Sequence, residues 1–248
     1  RSTQGYSSAA SDVYKRQKMN RMNNRENTDS LIAKIRAGIQ ACLQLDVMKD
    51  LPDFLSVDSE DNPYVYTSGG ITFLDDRCVN VVCFGQKPGV KEPLYCGELY
   101  IDSENGALLK ACIEVQPRYI KRATRIFVVR QAQNVNLTTQ KVVYTISYKP
   151  WNGTYYIHHI RGDLYFKMKK KRVLFSNPTL HTWFEMVTCR VDTEHVVRFS
   201  RTERIPTHAV FSDMNFKYDE RFWEDFNVIP LEAVSYTHLR AHETRGNL

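Results

Sequence analysis

The residues able to do chemistry are scattered along this chain, and their spacing decides what they can share. His181 and Glu185 fall on one face of an alternating run and invite comparison with a metal-binding pair. Along an extended strand, however, that separation is about 13 Å at ~3.3 Å per residue, too far for one ion. His158 and His159 are adjacent, so on a strand they face opposite ways, which favours packing or surface roles over chelation. The cysteines Cys42, Cys78, Cys83, Cys96, Cys112 and Cys189 contain no C-x-x-C pair, and Cys78 and Cys83 lie an odd number of residues apart. Burial as small apolar groups is their expected role, while a disulfide stays open with no readable connectivity. Asp58, Glu60 and Asn62 imitate the start of a calcium loop but lack its glycine and closing glutamate, so a solvated acidic turn is expected there. The chain has no His-x-x-Glu pair with a distant His, no glycine-rich phosphate loop and no G-x-S-x-G elbow. No catalytic residue, metal ligand or cofactor is therefore assigned.

Charge narrows the classes further. The chain of 248 residues carries 34 Lys plus Arg against 28 Asp plus Glu, a formal net charge of +6. Its ends read as foreign. Residues 7–17, SSAASDVYKRQ, resemble a translated transposase adapter, and residues 234–244, VSYTHLRAHET, resemble the partner adapter read in the other direction. The two agree with each other, because a coding of Asp12-Val13-Tyr14-Lys15-Arg16 reads, on the reverse strand in a shifted frame, as Ser-Tyr-Thr-His. Residues 1–17 and 234–248 are accordingly set aside as adapter-derived tails, expected to be dispensable, which leaves residues 18–233 as one β-rich domain. Removing Arg1, Lys15, Arg16, Arg240 and Arg245 with Asp12 and Glu243 lowers the net charge to +3, and a nucleic-acid reading loses most of its support. Two basic stretches remain: KMKKKR at 167–172, and Lys121, Arg122, Arg125 and Arg130 within residues 117–133. The first reads as strand-edge protection and the second as a solvated face.

The elements that must position these groups are mostly strands. Residues 140–171 form the longest alternating run, with Val142, Tyr144, Ile146 and Tyr148 on one face. Pro150, Trp151, Asn152 and Gly153 read as a four-residue hairpin loop, which places Tyr148 opposite Tyr155, Ile146 opposite Ile157 and Tyr144 opposite His159. A two-residue Asn152-Gly153 turn is the competing register, pairing Trp151 with Thr154 and Pro150 with Tyr155. Either turn leaves Tyr144, Tyr148, Tyr155 and His159 on one face, and they are the candidate pocket lining, since rings with hydroxyl and imidazole groups can orient a ligand. The alternative is that these rings pack beneath a helix over residues 39–48.

Elsewhere the punctuation is local. Residues 18–27 are polar and aperiodic, and read as a loop. Pro63 and Gly69-Gly70 mark the entry to the strands, and Val79, Val81 and Cys83 alternate in the next one. Ser103, Glu104, Asn105 and Gly106 make a turn, with Asp102 placed to bond its backbone. Trp183, Glu185, Val187, Cys189 and Val191 line one side of a further strand, Phe184 and Met186 the other. Phe222, Trp223 and Phe226, ended by Pro230, form a short helical aromatic anchor.

That closing run, KYDERFWEDFNVIP at 217–230, is similar to the closing motif of Bacteroidota envelope proteins called carboxypeptidase-like regulatory domain-containing proteins. The stretches KIRAGIQACLQLDVMKDLPDFL at 34–55 and GELYIDSENGALL at 97–109 agree with it. The resemblance implies the second, C-terminal domain of that family, without the upstream β-sandwich that gives the family its name. The fold expected is mainly β (α+β), a curled antiparallel sheet or unclosed half-barrel with one or two short helices. The resemblance also implies a cell-envelope protein, periplasmic or outer-membrane associated, and the lack of any catalytic motif makes a protein that is not an enzyme the expectation. The expected function is binding of a protein partner or an apolar, lipid-like ligand on the curled sheet, without nucleic acid and without a transmembrane segment in this stretch. A hydrolytic enzyme assembled from His159, His181 or Cys189 and distant carboxylates is the rival reading, and a nucleic-acid binder the third.

Overall fold

The computed structural model describes residues 33–35, 39–57, 61–171, 177–194, 196–197 and 200. These residues all belong to the first of two compact units, Arg1–Met214. The expectations for both terminal tails, for residues 18–27 and for the aromatic run at 217–230 lie outside the described residues, as do Asp58, Glu60 and Arg172.

The chain is mainly β. Seven strands make one curled, unclosed antiparallel sheet: β2 (Tyr64–Leu74), β3 (Arg77–Gln86), β4 (Tyr95–Asp102), β5 (Leu108–Val115), β7 (Val135–Trp151), β8 (Thr154–Lys170) and β9 (Thr179–Val187), in that spatial order. A separate short ladder pairs β1 (Ala33–Ile35) with β6 (Val128–Gln131). Among the described residues the helical pieces are α1 (Ile39–Gln44), a 3-10 turn at Asp53–Leu55, a 3-10 segment at Pro117–Ala123 and α2 (Thr124–Phe127). The helix expected over 39–48 is shorter than that span. The chain leaves it through a tight turn, with the Leu45 N–H donating to the Cys42 carbonyl at 3.1 Å, and Leu45 and Val47 are buried in the core.

The basic stretch at 117–133 is more ordered than its charge suggests. Ile120, Ala123 and Phe127 recur at helical spacing and are buried, while Lys121, Arg122 and Arg125 stay exposed. The Asp102 expectation is met in detail: its carboxylate accepts the Glu104 N–H at 2.9 Å and its carbonyl accepts the Gly106 N–H at 2.9 Å. Gly69 and Gly70 do not precede the strands but sit within β2, where Gly69 is the extra residue of a bulge and Gly70 takes a φ of 89°.

The central hairpin corrects the expected register. Trp151 pairs with Thr154 and Pro150 with Tyr155, so the turn is the two-residue Asn152-Gly153. Both residues have positive φ, 48° and 77°, which is the geometry that matches the twist of the flanking strands. Two bulges then interrupt the ladder, with His158 extra on β8 and Gln140 extra on β7. Beyond His158 the alternation of β8 reverses. Ile157 is out of phase with Ile160, Leu164 and Phe166, yet all four are buried because the extra residue brings them to one face. The inner face is filled by Val142, Tyr144, Ile146 and Tyr148 of β7 against these residues. Phe184 of β9 fits here because its neighbour on β8 is Gly162, where a Cβ would stand 2.4 Å from the ring. Aromatic contacts then run under the sheet from Phe184 to Tyr144, Tyr95, Phe54 and Phe84, with centroids 4.6 to 6.3 Å apart.

Candidate binding surface

The four residues expected to line a pocket do not stay together. Tyr144 and Tyr148 are core side chains, 4% and 5% exposed. Tyr148 lies against the segment after α1, where its hydroxyl donates to the Asp46 carboxylate at 3.0 Å and accepts the Met48 N–H at 3.4 Å. Burial, with Asp46 beside it, pushes the Tyr148 phenol upward, and burial does the same to Tyr144. Tyr155 is half-buried near the hairpin tip, where its hydroxyl accepts from Asn105 at 2.9 Å and from Arg77 at 3.2 Å. Arg77 also donates to Asp102 at 2.7 Å, so this group ties the tip to β3 and to the β4–β5 turn. His159 is a correction. The bulge at His158 turns it to the outer face, where it pairs with Ser147 rather than Tyr144.

On that outer face a different constellation forms. His159, Arg161, Asp163 and Tyr165 alternate along β8, and His181, Trp183 and Glu185 alternate along β9. Cross-strand pairing sets Arg161 against Glu185, Asp163 against Trp183 and Tyr165 against His181. The Arg161 guanidinium donates from Nε to Asp163 at 2.8 Å and from Nη1 to Glu185 at 3.1 Å, a fork bridging two carboxylates. His181 Nε2 meets Asp163 Oδ1 at 2.8 Å, and its ring stacks on Tyr165 with centroids 4.2 Å apart. His159 Nε2 stands 3.7 Å from Glu185 Oε1, and the Arg161 guanidinium lies 5.6 Å from the centre of the Trp183 ring.

Electrostatics fix the charge of this row. Its side chains are neither buried nor free, from 18% exposed at Glu185 to 38% at His181. The His159 imidazole and the Arg161 guanidinium hold the Glu185 carboxyl below its ordinary range, against partial burial. Burial raises the Asp163 carboxyl, but the hydrogen bonds from Arg161 and His181 outweigh it and keep it low as well. Both carboxylates are therefore ionised at neutral pH and already engaged. Among the described residues no group of three or more His, Cys, Asp and Glu side chains converges to hold a metal ion. His181 and Glu185 take different partners, in line with their strand spacing. All six thiols are free; Cys42 is buried, its pKa pushed up to about 12 by burial, and the other five are half-buried rather than the core groups expected.

The arrangement is a held, charge-alternating, aromatic surface. Sequence reasoning placed His181, Trp183 and Glu185 on one strand and named His159 apart from them, but missed Arg161, Asp163 and Tyr165. The readable signal was the i, i+2 repeat of polar and aromatic residues on both strands, which becomes a site only once β8 and β9 are paired. No described helix is long and apolar enough to cross a membrane. Comparison of the chain with protein-family models, with curated proteins and with solved structures finds no match.

Proposed function

We propose that this is a non-enzymatic binding protein, and that it meets a protein partner on the outer face of β8 and β9. The observation that carries the reading is the row His159, Glu185, Arg161, Asp163, His181, in which each neighbour lies 2.8 to 3.7 Å from the next. Arg and aromatic side chains are the residues that dominate binding energy at protein interfaces, and here they are held before any partner arrives. Side chains fixed in advance lose less rotamer entropy on association. An apolar ligand between the tyrosines of the inner face has less support, because Tyr144 and Tyr148 are core residues. Placement in the cell envelope rests on the resemblance of residues 34–55, 97–109 and 217–230 to envelope proteins, and nucleic acid is not part of the proposal. The test is affinity capture from an envelope fraction with the wild-type chain and with a Tyr165→Ala, His181→Ala double variant. A protein retained by the first and lost by the second, at unchanged melting temperature, supports the reading. Identical retention by both sinks it.

The hydrolytic alternative draws on one contact, His181 to Asp163 at 2.8 Å, which is the base-orienting half of a nucleophilic site. Hydrolysis of a chromogenic ester that disappears in His181→Ala would favour it over the binding reading.

A further inference from the structure

The two edges of the sheet are built differently. At the β9 side the edge carries His181 and Glu185, and where β8 runs past the start of β9 it carries Lys169 and Lys170, the charged protection natural sheets place on open strands. The β2 side has none. Its eleven residues, YVYTSGGITFL, include no charge and no proline, although among the described residues β2 is bonded on one side only. From Thr67 to Phe73 every residue is exposed, with Ile71 at 69% and Phe73 at 74%. The bulge at Gly69 bends the first half of this strand, but the stretch beyond it, Gly70 to Leu74, is regular, and an uncharged edge with exposed Ile71 and Phe73 is a template for pairing with another strand.

We propose that β2 is the surface through which two copies of this chain join, edge to edge and antiparallel, about a two-fold axis at Thr72. The occupant is a second copy because the strand is complementary to itself. With Thr72 facing Thr72 of the other copy, Ile71 of each chain falls opposite Phe73 of the other, giving two aromatic with β-branched pairs on one face. An isologous antiparallel pair sets any charge near the axis close to its own copy, and β2 has no charge to repel. The nearest carboxylates, Asp75 and Asp76, sit in the β2–β3 turn, beyond the stretch that pairs. The result is one continuous sheet, bonded across its centre by main-chain groups of the exposed stretch around Thr72, which have no strand partner on this side among the described residues. This inference is independent of the partner proposed for β8 and β9.

Sedimentation of the full chain tests it. Wild type should approach twice 28.9 kDa as concentration rises. Thr72 is exposed, so Thr72→Lys and Thr72→Glu should each fold, by circular dichroism, and each should sediment at half the wild-type mass. Mixed in equal amounts the two variants should recover the doubled mass, since Lys then faces Glu across the axis. A wild-type chain that stays monomeric at its highest soluble concentration overturns the proposal, as does a Thr72→Lys chain that still dimerises, or a mixture of variants that does not.

Discussion

The two faces of the β8–β9 pair use the same strands for opposite ends. Inside, Ile160, Leu164, Phe166 and Phe184 are fully buried, and specificity comes from shape, as in the fit of the Phe184 ring over Gly162. Outside, one residue away along each strand, Arg161, Asp163, His181 and Glu185 are partly exposed, and order comes from directed hydrogen bonds. The difference teaches where free energy resides. Apolar burial is large and non-directional, whereas partly solvated ion pairs are small contributors that fix geometry.

The sharpest way to break this contrast is on the inside. Phe184→Ala leaves a ring-sized cavity beneath Gly162 and should destabilise by ~3 to 5 kcal/mol in denaturant unfolding. A loss below ~1 kcal/mol would show that the inner face is not the cooperative core. Gly162→Ala tests the same contact from the other side. The added methyl meets the Phe184 ring in a filled core, so a loss of about 1 to 3 kcal/mol is expected. If Phe184→Ala is made in the same chain, the penalty of the extra methyl should shrink, which a double-mutant cycle reads directly.

Tyr148→Phe keeps the ring and deletes only the hydroxyl that joins Asp46 to Met48. A loss of about 1 kcal/mol is expected, less than either packing change. On the outside the effects should be smaller still. Arg161→Gln should cost less than about 1 kcal/mol at neutral pH, because the fork is partly solvated. It should also raise the Asp163 and Glu185 pKa values, measurable by carboxyl NMR titration. The acid limb of stability supplies the sign. Both carboxyls titrate below their unfolded values, so the unfolded chain binds protons first as pH falls. Their contribution is present above the unfolded carboxylate range and is lost as pH drops through the folded values. In Arg161→Gln that acid limb should flatten, and an unchanged limb would place the protonation elsewhere.

Much of the inner face could be read in advance, and little of the outer. Val142, Tyr144, Ile146 and Tyr148 announced themselves by strict alternation, because a strand with one covered face has few other solutions. The turn was open to two readings, and the positive φ accepted by both Asn152 and Gly153 decided for the shorter one. The bulges at Gln140 and His158 have no compositional mark, so the face of His159 could not be known until its partners were. The outer row is a property of pairing rather than of either strand. Arg161 finds Glu185 across a gap of 24 residues, and no local pattern encodes that distance.

The two bulges of the central hairpin also bear on how its length can change. Val135 opposite Lys170 and Trp151 opposite Thr154 belong to one register, while everything between the bulges is displaced from it by a single residue. Each strand of seventeen residues therefore contains one spare position, at Gln140 and at His158. A deletion inside a paired strand normally turns every later side chain inside out. Removing His158 would do the reverse: Tyr155, Ile157 and Ile160 would then alternate without interruption on the covered side. Related chains that differ in length within this hairpin should accordingly carry their gaps at these two points rather than in the Asn152-Gly153 turn.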